Sequence, residues 1–144
     1  MNFTELRDLS NEEGVSELPT FKFYKAGKLL EDFVGSDPTR LEELIKKHKE
    51  AGSAVATGVV QQVVSAAEFK KLIAENILVV TDFYTVWCGA CKWMAPQFDE
   101  FAAKYPQVRC LKVHFGYYQL KESFRFSELI KTWRISWELN NDWH

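Results

Sequence analysis

The chain has 144 residues, 47% of them hydrophobic, and a net charge of −2. That length suits a single domain able to bury about two thirds of its unfolded surface without metal or disulfide staples, and the small charge argues against nucleic acid or a membrane surface as partner. Three cysteines (Cys88, Cys91, Cys110) are too few for a secreted disulfide framework, no apolar run could span a bilayer, and Met1 to Asp8 lacks the apolar centre of a signal peptide, so a soluble cytoplasmic setting with reduced thiols is expected.

Phe3 to Glu13 reads as a short amphipathic helix with Phe3, Leu6 and Leu9 on one side and Gly14 as its stop. Leu18-Pro19-Thr20 breaks the pattern. Phe21 to Lys25 is an aromatic strand, Ala26-Gly27 a hairpin turn, and Lys28 to Val34 the returning strand, ended by Gly35. Asp37-Pro38 places a capping acid before a proline at the first helical position. Leu41, Leu44, Ile45 and His48 then keep helical spacing up to a cationic end at Lys46 to Lys49. Glu50 to Gly58 is small and aperiodic, as a linker is.

Val59 to Val64 is a short strand. Ser65 and Glu68 have the spacing of a capping box, opening a helix that ends near Ile73. Ile77 to Tyr84 is an apolar run holding a single acid, the pattern of a central strand covered on both faces. Cys88 to Lys104 is a helix with a kink expected at Pro96, and Val108 to Val113 is a further strand. The character changes at Gly116. Three of the five tryptophans (Trp133, Trp137, Trp143) fall beyond it, no earlier segment resembles this tail, and no function is assigned to residues 116–144.

The chemistry lies in Trp87-Cys88-Gly89-Ala90-Cys91-Lys92. Cysteines three apart at the start of a helix can bridge. There the unpaired backbone N–H groups and the helix dipole favour an anion, and so the thiolate of Cys88. Thiolate is the attacking species in disulfide exchange. Cys88 would form a mixed disulfide with a substrate, and Cys91 would resolve it. Asp82, among Val79, Val80 and Phe83, should have a raised pKa and suits the role of proton acceptor for Cys91. A zinc site needs a second ligand pair, and Cys110, His48, His114 and His144 show no ligand spacing. Cys110 reads as a small core residue, and His114 and His144 as surface residues.

Val79 to Pro96, VVTDFYTVWCGACKWMAP, resembles the thioredoxin family: the buried acid Asp82, Trp87, both cysteines, Lys92 and the kink proline Pro96 all match. The likeness runs from about Val60 to Val113 and covers the N-terminal half of that fold. Gly14 to Lys49, with the helix before it, resembles the C-terminal half. There Pro19 matches the family's cis-proline and Gly35 a glycine of its substrate groove. The resemblance implies substrate contacts at Leu18, Pro19, Thr20, Gly35, Gly89 and Ala90. It also implies an α/β fold with a thioredoxin-like mixed central sheet flanked by helices, assembled from two half-domains in permuted order. Residues 1–49 would be the C-terminal half, 50–58 the linker, and 59–115 the N-terminal half. A circular permutant, a fragment of a tandem thioredoxin-domain protein and a dimer that swaps halves all satisfy this order.

Ala90 stands where the family usually has proline, His114 where it continues with aspartate, and Trp93 is an unusual aromatic beside the site. The implied function is protein-disulfide reduction without a cofactor, with protein disulfides as substrates and a thioredoxin-reductase-type enzyme as recharging partner. The alternative is a thioredoxin-fold binding module, or inactive fragment, without turnover.

Overall fold

The computed structural model describes residues 2–49 and 56–116. Most of the expected linker (residues 50–55) and all but the first residue of the aromatic tail (residues 117–144) lie outside them. The elements in chain order are α1 (Phe3–Glu12), β1 (Thr20–Lys25), β2 (Lys28–Val34), α2 (Pro38–His48), β3 (Val60–Gln62), α3 (Ala66–Ile73), β4 (Val79–Tyr84), α4 (Gly89–Lys104) and β5 (Arg109–His114).

Local chemistry accounts for the element ends. The side chains of Asn2, Asp37 and Ser65 accept backbone N–H bonds at the starts of α1, α2 and α3, satisfying donors that a helix start leaves open. The hairpin turn is made by Ala26 and Gly27, both at positive φ (52° and 79°), the handedness that matches strand twist in a two-residue loop. The strand expected over Val59 to Val64 is shorter, because β3 pairs only through Val60, Gln61 and Gln62 with Cys110, Leu111 and Lys112 of β5.

The five strands form one mixed sheet in the order β2-β1-β4-β5-β3. β1 is antiparallel to both β2 and β4, while β4, β5 and β3 run parallel. The architecture is the expected α/β, with a thioredoxin-like mixed sheet covered by helices on both sides. On one face Leu41, Leu44 and Ile45 of α2 and Met94 and Phe98 of α4 pack on Phe21, Phe23, Val80 and Cys110. On the other, Leu6 and Leu9 of α1 and Phe69 of α3 pack on Tyr24, Val79, Phe83, Leu111 and Val113. Alternation along each strand supplies both faces, and each fully buried large side chain contributes about 1.5–3 kcal/mol.

Each core cluster draws on both halves of the chain, and so do the polar bonds. β1, from the front half, pairs with β4, from the rear. Glu5 of α1 accepts the Ala66 N–H at the start of α3 at 2.9 Å. The Ala26 and Gly27 N–H groups donate to the Glu75 and Ile73 carbonyls at 2.9 and 2.8 Å. Gly116, just past β5, lies against α1: a Cβ there would stand 2.9 Å from Cβ of Arg7 and 3.2 Å from the Phe3 carbonyl.

Candidate active site

Strand register brings the expected site residues to one end of the sheet. Thr20 opens β1 opposite Phe83 near the end of β4, and opposite Val34 at the end of β2. The Leu18–Pro19 peptide, cis in this structure, therefore stands where β4 runs out into Thr85-Val86-Trp87-Cys88. Gly35 follows Val34 at φ 127°, a conformation that favours glycine, and its N–H donates to the Pro19 carbonyl at 3.0 Å. The Thr20 hydroxyl donates to the Glu17 carbonyl. Leu18, Pro19, Thr20 and Gly35 thus form one wall at this sheet end, separated in sequence from the cysteines but joined to them through the β1–β4 register.

Cys88 is the N-cap of α4, and Gly89 and Ala90 occupy its first turn. Cys88 and Cys91 are disulfide-bonded, with Cα atoms 5.1 Å apart. Cys91 is buried, while Cys88 is partly exposed and Trp87 is 57% exposed. The Cys91 N–H donates to Sγ of Cys88 at 3.1 Å. After reduction the same donor, with the positive end of a 16-residue helix, faces a thiolate. α4 continues through Pro96 without a break.

Asp82 is only 4% exposed. Burial pushes its carboxyl up to about 7; the Lys112 charge opposes this and Asp99 reinforces it. Lys112 is the register partner of Asp82 on β5, yet desolvation outweighs it. Oδ1 of Asp82 has no hydrogen-bond partner among the described residues. It projects to the same sheet face as Val80, two residues earlier, which is the face α4 covers. Cys110 shares that face; burial pushes its thiol up to about 12, so it is inert toward exchange near neutrality.

His114 corrects the sequence reading. Expected at the surface, it is 3% exposed, packed 4.8 Å from the Phe3 ring and 5.3 Å from the Tyr84 ring. Its Nδ1 accepts the Gly116 N–H at 2.9 Å, and burial holds its pKa below the usual histidine value. The Tyr84 hydroxyl donates to Oε1 of Gln62 at 2.6 Å. This cluster supports the last residue of β4, from which the cysteine loop departs, and sequence gave no signal of it because α1 supplies part of the cover. Among the described residues no group of three or more His, Cys, Asp or Glu side chains could hold a metal ion, and no helix is long and apolar enough to cross a membrane.

Residues 60–123 match the sequence model of the thioredoxin family. This segment of the chain is thioredoxin-like in sequence. It is 42% identical over 55 residues to thioredoxin-1 of Schizosaccharomyces pombe and 46% identical over 55 residues to thioredoxin-1 of Saccharomyces cerevisiae. Each match covers 38% of this chain and 53% of the relative, so the chain spans about half the length of the thioredoxins it matches. A probable protein disulfide-isomerase A4 of Caenorhabditis elegans is 30% identical over 103 residues, covering 67% of this chain and 16% of that protein. That alignment is longer than residues 59–144, so it includes residues before Val59. No solved structure matches the chain.

Proposed function

We propose that this protein is a thiol–disulfide oxidoreductase that reduces protein disulfides through a Cys88/Cys91 cycle. The observation that carries the reading is Cys88 at the N-cap of α4, with its sulfur on the Cys91 N–H and a cis Leu18–Pro19 wall set at the same sheet end. The Cys88 thiolate attacks one sulfur of a substrate disulfide. The S–S bond breaks, a mixed disulfide forms, and the released substrate thiolate takes up a proton. Cys91 gives its proton to Asp82 and attacks Sγ of Cys88. The second substrate thiol leaves, the electron pair has passed to the substrate, and Cys88–Cys91 is oxidised. A dithiol reductant, physiologically a reductase of the thioredoxin-reductase type acting in the cytoplasm, reverses that last oxidation.

Each site residue has a role in this scheme. A carboxyl with a pKa of about 7 exchanges protons near neutral pH, where Brønsted behaviour makes an acceptor most effective. Trp87, Gly89 and Ala90 border the sulfurs. Leu18, Pro19, Thr20 and Gly35 present the wall along which a substrate segment lies, with the backbone of Leu18 as its hydrogen-bonding partner. We read residues 1–49 and 59–115 as the end of one thioredoxin unit and the start of the next in a tandem protein, joined by the linker at 50–58. The C. elegans relative, matched over 67% of this chain but only 16% of its own length, supports that origin.

The test is reduction of insulin by dithiothreitol with and without the protein. Catalysed precipitation well above background is expected. No acceleration by folded protein would sink the enzymatic reading in favour of a binding module. Cys91→Ser should accumulate mixed disulfides on Cys88, and Cys88→Ser should accumulate none.

A further inference from the structure

The disulfide-exchange scheme does not use Trp93, a large side chain 52% exposed on α4. The buried side of this helix is Cys91, Met94, Phe98, Phe101 and Ala102. Trp93 lies off that side, one turn after Gly89 on the outward face. Side chains on a helix lean toward its N-terminus, so the indole covers the turn that holds Gly89 and Ala90. The axial distance from the Cys88 position is roughly 7–8 Å. Val86 (45% exposed) and Trp87 (57%), which precede Cys88 in the chain, and Val34 (51%), which precedes Gly35, are further exposed apolar side chains at this end of the sheet. From Phe83 to Phe98 the only charged side chain is Lys92. Ala90 is small and leaves the indole edge uncrowded on this turn.

Exposed apolar side chains within one or two turns of a reactive sulfur fit a protein partner. We propose that Trp93 is a specificity-determining residue, seating a large apolar or aromatic side chain that flanks the reacting cysteine of a protein disulfide. The proposal rests on the disulfide-exchange reading of the same site. It extends that site along α4 beyond Cys88. The substrate class is an extended or partly unfolded segment whose cystine has aromatic neighbours; no acidic side chain in Phe83 to Phe98 would recruit a basic one.

The experiment follows thiol release in single turnovers from pre-reduced full-length protein. Three substrates are compared: a short peptide disulfide with phenylalanines beside each cysteine, the same peptide with serines there, and hydroxyethyl disulfide. Trp93→Ser should lower the second-order rate constant for the phenylalanine peptide by about tenfold, the scale of one lost aromatic contact, and for the other two by less than twofold. Trp93→Phe should restore most of the loss. An equal fall on all three substrates would mean that Trp93 acts on the thiols or on folding. No fall on any, with active wild-type protein, would mean that substrates bypass it. Either result overturns the inference. Wild-type protein no faster than a simple thiol on all three would instead overturn the exchange reading, and this inference with it.

Discussion

Replacing Asp82 by asparagine isolates the cost of the buried carboxylate. The folded pKa is about 7 and the ordinary value 3.8. Below pH 4 the carboxyl is mostly protonated in both the folded and the unfolded chain, and it adds little pH-dependent free energy. Between about 4 and 7 the native state holds a proton that the unfolded chain has released, so native stability falls as pH rises. Above 7 the full penalty applies, roughly 4 kcal/mol for a separation of about three pKa units. Asparagine removes the charge but still buries an amide, and Oδ1 of Asp82 has no partner to offer it among the described residues, which takes back part of the gain. Asp82→Asn is therefore expected to unfold about 2–4 kcal/mol later than wild type at pH 8.5, and within about 1 kcal/mol of it at pH 4.5. Urea denaturation of the oxidised forms across that range measures the difference. A gain that does not change with pH would refute the reasoning, because it would come from packing rather than ionisation. The same variant should slow the step in which Cys91 resolves a mixed disulfide, more strongly near pH 7 than near pH 9, where solvent base removes the thiol proton.

Cys110 is 2% exposed, and its thiol is held at about 12. Iodoacetamide at pH 8 should modify the reduced native protein at the partly exposed Cys88, with the buried Cys91 and Cys110 labelled after denaturation; native labelling at Cys110, read by mass spectrometry, would contradict its place under α4. Gly116→Ala should cost about 1–3 kcal/mol, since it combines φ of 100° with a Cβ 2.9 Å from that of Arg7. Gly89→Ala, with nothing within 4 Å, should leave the unfolding midpoint nearly unchanged, and equal midpoints for the two variants would show that α1 does not press on that turn.

What could be read without coordinates was local. The Asp37-Pro38 start, the Ser65 cap and the Ala26-Gly27 turn are each settled by residues a few positions apart, and each formed as expected. Asp82 was legible because a lone acid in a β-branched run has few ways to avoid burial. The contents of the wall were not legible from spacing: Pro19 and Gly35 reach the cysteines through two strand registers, and only likeness to thioredoxins pointed to them. His114 failed for the same reason in reverse. A single histidine at a strand end carries no pattern, and Phe3, at the other end of the chain, supplies much of its cover. The length of β3 was overestimated because an edge strand's extent is set by its partner, and β5 offers it three positions.

The contact between Gly116 and the first turn of α1 says something about connectivity. Residues that close could be joined by a short peptide, and the chain could then be opened within residues 50–55, with every strand pairing and the Pro19–Gly35 wall unchanged. Which end of the gene encodes the thiols and which encodes their wall is therefore free to vary in this fold. The sheet order is not, because β4 must find β1 on one side and β5 on the other before two cysteines become a site.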